Sequence, residues 1–290
     1  MDFAKMHGAG NDFCLFSGMK QALPDYSTLA ITVCDRHYGV GGDGIMVCLP
    51  SHIADIKMVY YNSDGSMGEM CGNGLRCFSK FVYEGGLVYK KEFTVETGAG
   101  VKTVRLDIAG NDEVQSVSVN MGRPEFDPDR IPTTLPGTPV IARDLDVLEH
   151  KVTLTAMRML VPHCVVMVND LEAVDVNGLG RQIEIHPAFP QKVNVNFVQI
   201  IDRSHMKIKT WERAAGRTLA CGTGCCASAV AGRLLGLAED TVTLYAEGGE
   251  LTIHVGDDFE VTMTGGAEFI CRGSFSKWIS LQAGAHRDHK

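Results

Sequence analysis

Cys71-Gly-Asn-Gly-Leu-Arg-Cys-Phe78 and Cys221-Gly-Thr-Gly-Cys-Cys-Ala-Ser228 are two versions of one phrase, set half the chain apart. Each opens a helical pattern. In the first, Leu75, Phe78 and Val82 fall on one helical face, and Gly85-Gly86 supplies a C-terminal stop. The second is small and apolar nearly all round and ends near Gly236, the pattern of a helix buried on every side. The match extends upstream: Asn62 lies nine residues before Cys71, and Glu212 lies nine before Cys221. An internal duplication follows, each half supplying strand, turn, Cys-Gly-x-Gly and helix.

Outward from these helices the chain reads as short β-runs. They are Asp12–Phe16, Ile45–Leu49, Asp55–Tyr61, Lys102–Ile108 and Val114–Asn120, then Lys151–Thr155, Val165–Val168, Val195–Ile201 and Met206–Trp211. The last are Val242–Tyr245, Glu250–Val255, Glu260–Met263 and Glu268–Phe275. Turns such as Gly110-Asn111 and Gly248-Gly249 join them as antiparallel hairpins. One further helix is expected over Ser27–Arg36, with Ser27 as its N-cap. The expected class is α+β, in two domains related by a pseudo-twofold axis. The first covers residues 1–120 plus about 267–280, the second 121–266, and 281–290 form a disordered tail.

A cysteine at the mouth of a helix meets unsatisfied N–H groups and the positive end of the dipole. This setting lowers a thiol pKa from about 8.5 toward neutrality. The glycines let the backbone approach a ligand, and the same N–H groups can bind a carboxylate. Two such halves would bring two thiols to one cleft. One thiolate could then take a Cα proton and the opposite thiol return one to the other face, with no pyridoxal phosphate or metal. The plainer reading makes each cysteine a buried neighbour of a helix cap; the repeat of the whole context argues against it twice over. Cys221-x3-Cys225 has permissible zinc spacing, but Cys71-x5-Cys77 does not repeat it. Gly39-Val-Gly-Gly-Asp-Gly44 matches a dinucleotide fingerprint formally, yet it precedes a strand where that motif follows one.

Composition sets the remaining bounds. The chain has 290 residues, 45% apolar and 21% charged, with a net charge of −8 and no basic stretch to meet phosphates. A nucleic-acid binder is not expected. Neither a secretory signal nor an apolar run long enough for a membrane span is visible, so a cytoplasmic protein is expected. Ten cysteines in a chain of this length read as free thiols rather than a disulfide scaffold. Cys14, Cys34, Cys48 and Cys164 sit in apolar runs as core residues.

At these residues the sequence resembles the diaminopimelate epimerase family. The shared blocks are Lys5-Met-His-Gly-Ala-Gly-Asn-Asp-Phe13, Asp35-Arg-His-Tyr-Gly-Val-Gly-Gly-Asp-Gly44 and Asn62-Ser-Asp-Gly-Ser66. They continue through Glu69-Met-Cys-Gly-Asn-Gly-Leu-Arg-Cys-Phe78, Pro162-His163, His186-Pro187, Asn194, Trp211-Glu-Arg213 and Thr218-Leu-Ala-Cys-Gly-Thr-Gly224. The resemblance implies two domains, each a mostly antiparallel sheet or barrel wrapped around a central helix, with the last strand returning to the first domain. It implies interconversion of LL- and meso-diaminopimelate without a cofactor, in lysine and cell-wall synthesis. By the family pattern Cys71 and Cys221 are the two bases, and His163 and Glu212 assist them. Asn11, Asn62, Asn194, Glu212 and Arg213 contact substrate, and backbone N–H groups at Gly72, Asn73, Gly222 and Thr223 hold its carboxylate. The partner is then a small amino acid, with no nucleic acid, membrane or metal, and a homodimer is left open. Three positions depart from the pattern: Leu160-Val161 where the family has Gly-Asn, Arg217 where many members have Glu, and Gly44 where some have Gln. The competing readings are a thiol-pair racemase of another amino acid, such as histidine, and a silent amino-acid-binding protein.

Overall fold

The structure is a computed structural model and describes residues 1–213 and 215–275. The expected tail at 281–290 lies outside them. In chain order the elements are β1 (Asp2–Gly8), β2 (Asn11–Ser17), α1 (Tyr26–Cys34), β3 (Gly44–Leu49), β4 (Ile56–Asn62), β5 (Met67–Gly68), α2 (Gly72–Glu84), β6 (Glu92–Thr97), β7 (Gly100–Ile108) and β8 (Val114–Gly122). They continue with β9 (Val140–Val147), β10 (His150–Met159), β11 (Val161–Met167), α3 (Val176–Glu184), β12 (Asn194–Asp202), β13 (His205–Glu212) and β14 (Gly216–Thr218). The last are α4 (Gly222–Leu234), β15 (Thr241–Ala246), β16 (Gly249–Val255), β17 (Val261–Gly265) and β18 (Glu268–Ser274). This is a mixed sheet architecture with few helices, the α+β class. No helix among the described residues is long and apolar enough to cross a membrane.

The chain divides into two compact units, Met1–Val119 with Gly266 onward, and Asn120–Gly265. In the first, β1 pairs β2 antiparallel, β2 pairs β3 parallel, β3 pairs β4 antiparallel and β4 pairs β6 parallel, after which β6, β7 and β8 continue antiparallel. β18 closes on β1 from Asp2↔Ser274 to His7↔Glu268. The second unit runs through the same succession: β10–β11 antiparallel, β11–β12 parallel, β12–β13 antiparallel, β13–β15 parallel, then β15–β16 and β16–β17 antiparallel. There β9 takes the place against β10 that β18 takes against β1.

In each unit the helix after Cys-Gly-x-Gly is the piece that the strands cover. α2 packs on β1, β2, β3 and β7, and α4 on β10, β11, β12, β15, β16 and β17. Leu75, Phe78 and Val82 are fully buried, as their spacing predicts, each removing about 1.5–3 kcal/mol of apolar surface from water. On α4, Cys225 through Gly232 are buried without a break. Gly86 (φ +64°) and Gly236 (φ +70°) end the two helices in the left-handed region. A second core lies in each unit. In the first, Phe16, Leu29, Val33, Ile45 and Val47 pack together. In the second, Leu154, Val166, Ile183, Phe189 and Phe197 do so.

One local expectation is corrected. The cap of α1 is Asp25, whose carboxylate accepts from the Thr28 N–H at 2.9 Å. The helix starts at Tyr26, two residues before a Ser27 cap would begin it, and Ser27 instead donates its hydroxyl to the Gly65 carbonyl at 2.8 Å. Leu160, where the family has Gly, sits at φ +64° between β10 and β11. A side chain in that region costs about 1–2 kcal/mol that glycine would not. Leu160→Gly is therefore expected to stabilise the protein by roughly 1 kcal/mol in urea unfolding. A lower unfolding midpoint would show that the leucine side chain's packing outweighs the strain.

Candidate active site

In the first unit, Cys71 is the N-cap residue of α2, with extended backbone (φ −133°, ψ 120°), and its side chain makes no cap hydrogen bond. The half-buried thiol lies 3.4 Å from Asn11 Oδ1. The amide of Asn11 cannot be turned round. Its Nδ2 donates to Asp43 Oδ2 at 2.6 Å, and a carboxylate can only accept. Asp43 is itself held by the Asp12 N–H at 3.1 Å and by Arg36 at 3.1 Å. Asn11 therefore presents an acceptor to Cys71, and the thiol donates. Asn73 turns its side chain inward, its Oδ1 accepting from the buried Arg76 at 2.9 Å, while its N–H lies in the first turn of α2. Asn62 spends its side chain on its own turn, accepting from Tyr60 Oη at 2.6 Å and donating to Ser66 at 3.0 Å.

In the second unit Cys221 is the N-cap residue of α4, again extended (φ −118°, ψ 110°) and again not capping. Its Sγ lies 3.4 Å from Thr223 Oγ1, and Thr223 Oγ1 lies 3.0 Å from His163 Nε2. Asn194, on the strand beside β11, accepts the Arg213 N–H at 2.8 Å through Oδ1. Glu212 accepts the Thr218 hydroxyl at 2.7 Å. The structure thus gathers Cys221, Gly222, Thr223 and His163 into one group, with Glu212 electrostatically linked to Cys221 and Arg213 to His163. In the first unit it gathers Cys71 with Asn11, and Gly72 and Asn73 with Arg76.

The helix mouth does not lower the thiol of Cys221 toward neutrality as expected. Burial pushes it well above its ordinary value and the neighbouring Glu212 adds to the rise, whereas the Thr223 hydroxyl and the Gly224 N–H pull it down. Desolvation outweighs the dipole because the side chain is 6% exposed. Burial pushes His163 down to about 3, with Arg213 adding to the fall, so its ring is neutral near pH 7. The core cysteines Cys14, Cys34, Cys48 and Cys77 are all pushed up to about 12 by burial, the state of inert thiols.

The motif predicts glycines that open the backbone to a ligand. The second of each motif serves packing instead: a Cβ on Gly74 would overlap Met46, and one on Gly224 would overlap the Oδ1 of Asn196. Asn196 and Asp43 are the residues that sequence reasoning passed over. Asn196 had a signal, since it shares a strand face with Asn194 two residues earlier. Asp43 lay inside the glycine-rich stretch set aside as a false nucleotide motif. Among the described residues no three His, Cys, Asp or Glu side chains gather as a metal site.

The family model for diaminopimelate epimerase matches residues 3–126 and 155–270. The chain belongs to the diaminopimelate epimerase family. It is 46% identical over 276 residues to the diaminopimelate epimerase of Desulfitobacterium hafniense, covering 94% of this chain and 97% of that one. It is 44% identical to that of Heliobacterium modesticaldum, over 94% and 99% of the two chains. The fold is also that of a Bacillus anthracis phenazine biosynthesis protein of the PhzF family, at TM-score 0.68 and 16% identity over 94% and 98% of the chains. Two of this chain's departures from the family pattern, Gly44 and Arg217, have a local setting. A side chain at Gly44 would run into Tyr60 and the Tyr61 carbonyl, so no glutamine fits. Arg217 forms a forked ion pair with Glu247 at 2.6 and 3.1 Å.

Proposed function

We propose that the protein interconverts LL- and meso-diaminopimelate, moving the Cα proton between Cys71 and Cys221 without a cofactor. The observation that carries this is the paired construction. Each unit presents one cysteine at the N-cap of its covered helix, extended in backbone and not spent on capping. Full-length membership of the family supports the substrate. In one direction a thiolate takes the Cα proton and becomes a thiol. The electron pair left on Cα is delocalised into the substrate carboxylate, and the second thiol returns a proton to the opposite face and becomes the thiolate. The reverse direction exchanges their roles, and no electrons are gained or lost. N–H groups of Gly72, Asn73, Gly222 and Thr223 hold the carboxylate as its charge grows. Arg213 takes the distal carboxylate through paired hydrogen bonds and Glu212 the distal amine, with Asn11, Asn62 and Asn194 completing the contacts. His163 assists through Thr223, and Glu212 through its charge. The two units repeat one architecture, as the shared order of strand pairings supports, and the protein acts in the cytoplasm.

The test is Cα deuterium incorporation in heavy water with a panel of L-amino acids and diaminopimelate. Exchange and inversion of diaminopimelate alone is expected. Exchange of histidine or another single-headed amino acid in its place would make the protein a racemase of that substrate, and no exchange at all would make it a binding protein. Val161 stands where the family has a substrate-contacting Asn and cannot hydrogen-bond. One neutral amide contact contributes about 0.5–1.5 kcal/mol. Val161→Asn is thus expected to lower KM for diaminopimelate several-fold and leave kcat nearly unchanged; an unchanged KM would remove position 161 from the site.

A further inference from the structure

We propose that Asn196 is a positioning residue that locks His163 in its Nε2–H tautomer, so that the Thr223 hydroxyl is free to donate to Cys221. The inference deepens the proposed function, because it rests on Cys221 having to hold and release a proton.

The argument starts at an atom whose chemistry admits one reading. Asn196 Nδ2 lies 3.2 Å from the backbone carbonyl of Cys164, which can only accept. The nearer end of the amide must therefore be its NH2. At the other end Oδ1 lies 3.2 Å from the Thr210 hydroxyl, which donates to it. Turning the amide over would set its oxygen against the Cys164 carbonyl and lose that bond. The setting leaves no slack: Asn196 is fully buried, Thr210 is its cross-strand partner, and Gly224 is a glycine where a Cβ would overlap Oδ1.

The same NH2 lies 3.1 Å from His163 Nδ1. Nδ1 must then accept, and in a neutral ring the single proton sits on Nε2. Nε2–H donates to Thr223 Oγ1 at 3.0 Å. With that lone pair occupied by the imidazole, the hydroxyl proton of Thr223 points elsewhere, and Cys221 Sγ stands 3.4 Å away. The hydrogen bonds thus run in one sense, from Asn196 through His163 and Thr223 to sulfur. His163 in this state has no free lone pair and acts as a neutral donor, not a base. No proton is transferred along the chain; each bond strengthens when negative charge appears on the sulfur.

Other charged groups bear on the same atoms. Glu212 from β13 and Cys225 from α4 oppose charge on Cys221, the Gly224 N–H favours it, and Arg213 opposes charge on His163. The hydrogen-bond chain opposes burial and Glu212, which together still hold the Cys221 thiol above its ordinary value. Cys71 has no such donor in Asn11, whose oxygen faces it.

Two readouts test this, neither requiring turnover. Nitrogen-15 NMR of histidine-labelled protein, with His163 assigned through His163→Gln, should show Nδ1 bare and Nε2 protonated across neutral pH. Finding the proton on Nδ1 would overturn the proposal outright. Alkylation of Cys221 by iodoacetamide, followed by mass spectrometry against pH, reads its thiol. Thr223→Val and Asn196→Leu should each shift the midpoint upward by about one pH unit, slowing alkylation at fixed pH about tenfold. The double variant should go no further than Thr223→Val alone, and the Cys71 profile should not move. Additive shifts, or equal shifts at both cysteines, would mean that Asn196 acts only through packing. If Asn196→Leu fails to fold, the wild-type NMR and Thr223→Val still decide. Loss of the predicted tautomer with normal diaminopimelate exchange overturns the relay alone; the predicted tautomer without exchange overturns the epimerase reading alone.

Discussion

Cys71→Ala and Cys221→Ala are each expected to cut inversion of diaminopimelate by at least about 10³-fold, the scale of a lost general acid or base. Neither should move urea unfolding by much more than about 1 kcal/mol, because neither thiol caps its helix and only one atom is removed. The two variants should also differ in kind. Inversion needs a base on one face of Cα and an acid on the other, so losing either cysteine stops it. Exchange of the Cα hydrogen with retention needs only the base that remains. Each variant is therefore expected to retain some deuterium exchange with one stereoisomer and none with the other, and the preferred isomer should switch between them. Cys77→Ala and Cys34→Ala serve as controls. Both thiols are buried and pushed up to about 12, so their loss should cost stability and leave turnover per folded molecule intact. Inversion at the wild-type rate in Cys71→Ala or Cys221→Ala would end the two-base mechanism.

What could be read in the sequence follows a physical divide. The two N-cap cysteines and their helices were legible because a helix face and a capping position are written in neighbouring residues: Leu75, Phe78 and Val82 recur at helical spacing, and glycine stops each run. The alternating strand β8 was legible for the same reason, its Val117, Val119 and Met121 pointing inward. β1 was not read. Its sequence DFAKMHG breaks the apolar pattern with Lys5, yet Lys5 is buried because Asp12, on the adjacent strand, pairs with it at 2.6 Å. Helix α3 was passed over because two glycines interrupt it. One of them, Gly180, is required by the Trp211 side chain, against which a Cβ would press. The candidate site divides likewise. Residue types at the site came from motif spacing, but hydrogen-bond direction did not. That Asn11 offers an oxygen to Cys71 depends on Asp43, and that His163 offers a proton to Thr223 depends on Asn196, both far away in sequence.

Arg76→Met is expected to cost about 3–5 kcal/mol in urea unfolding, the largest stability loss of any substitution considered for this chain. The side chain is fully buried on α2, about 100° round the helix from Leu75 and off the face that Leu75, Phe78 and Val82 form. Its guanidinium donates to the Gly266 carbonyl at 3.1 Å through Nε, to Asn73 Oδ1 at 2.9 Å through Nη2 and to the Gly72 carbonyl at 3.4 Å through Nη1. One planar fork thus ties the first turn of α2 to the chain entering β18. A methionine of similar length fills the volume but strands those oxygens away from water, at about 1–3 kcal/mol for each buried acceptor left unmade. Arg76→Lys retains the charge on a compact ammonium that cannot span three separated acceptors, so an intermediate loss is expected. The position bears on chemistry as well as stability. Gly72 and Asn73 are the residues whose N–H groups are proposed to hold the reacting carboxylate, and Arg76 fixes both from behind. In Arg76→Lys, which should remain folded at moderate temperature, KM for diaminopimelate is expected to rise several-fold, with the alkylation profile of Cys221 unchanged. If Arg76→Met unfolds within about 1 kcal/mol of wild type, the guanidinium is not what holds this turn, and the α2 mouth owes its order to packing alone.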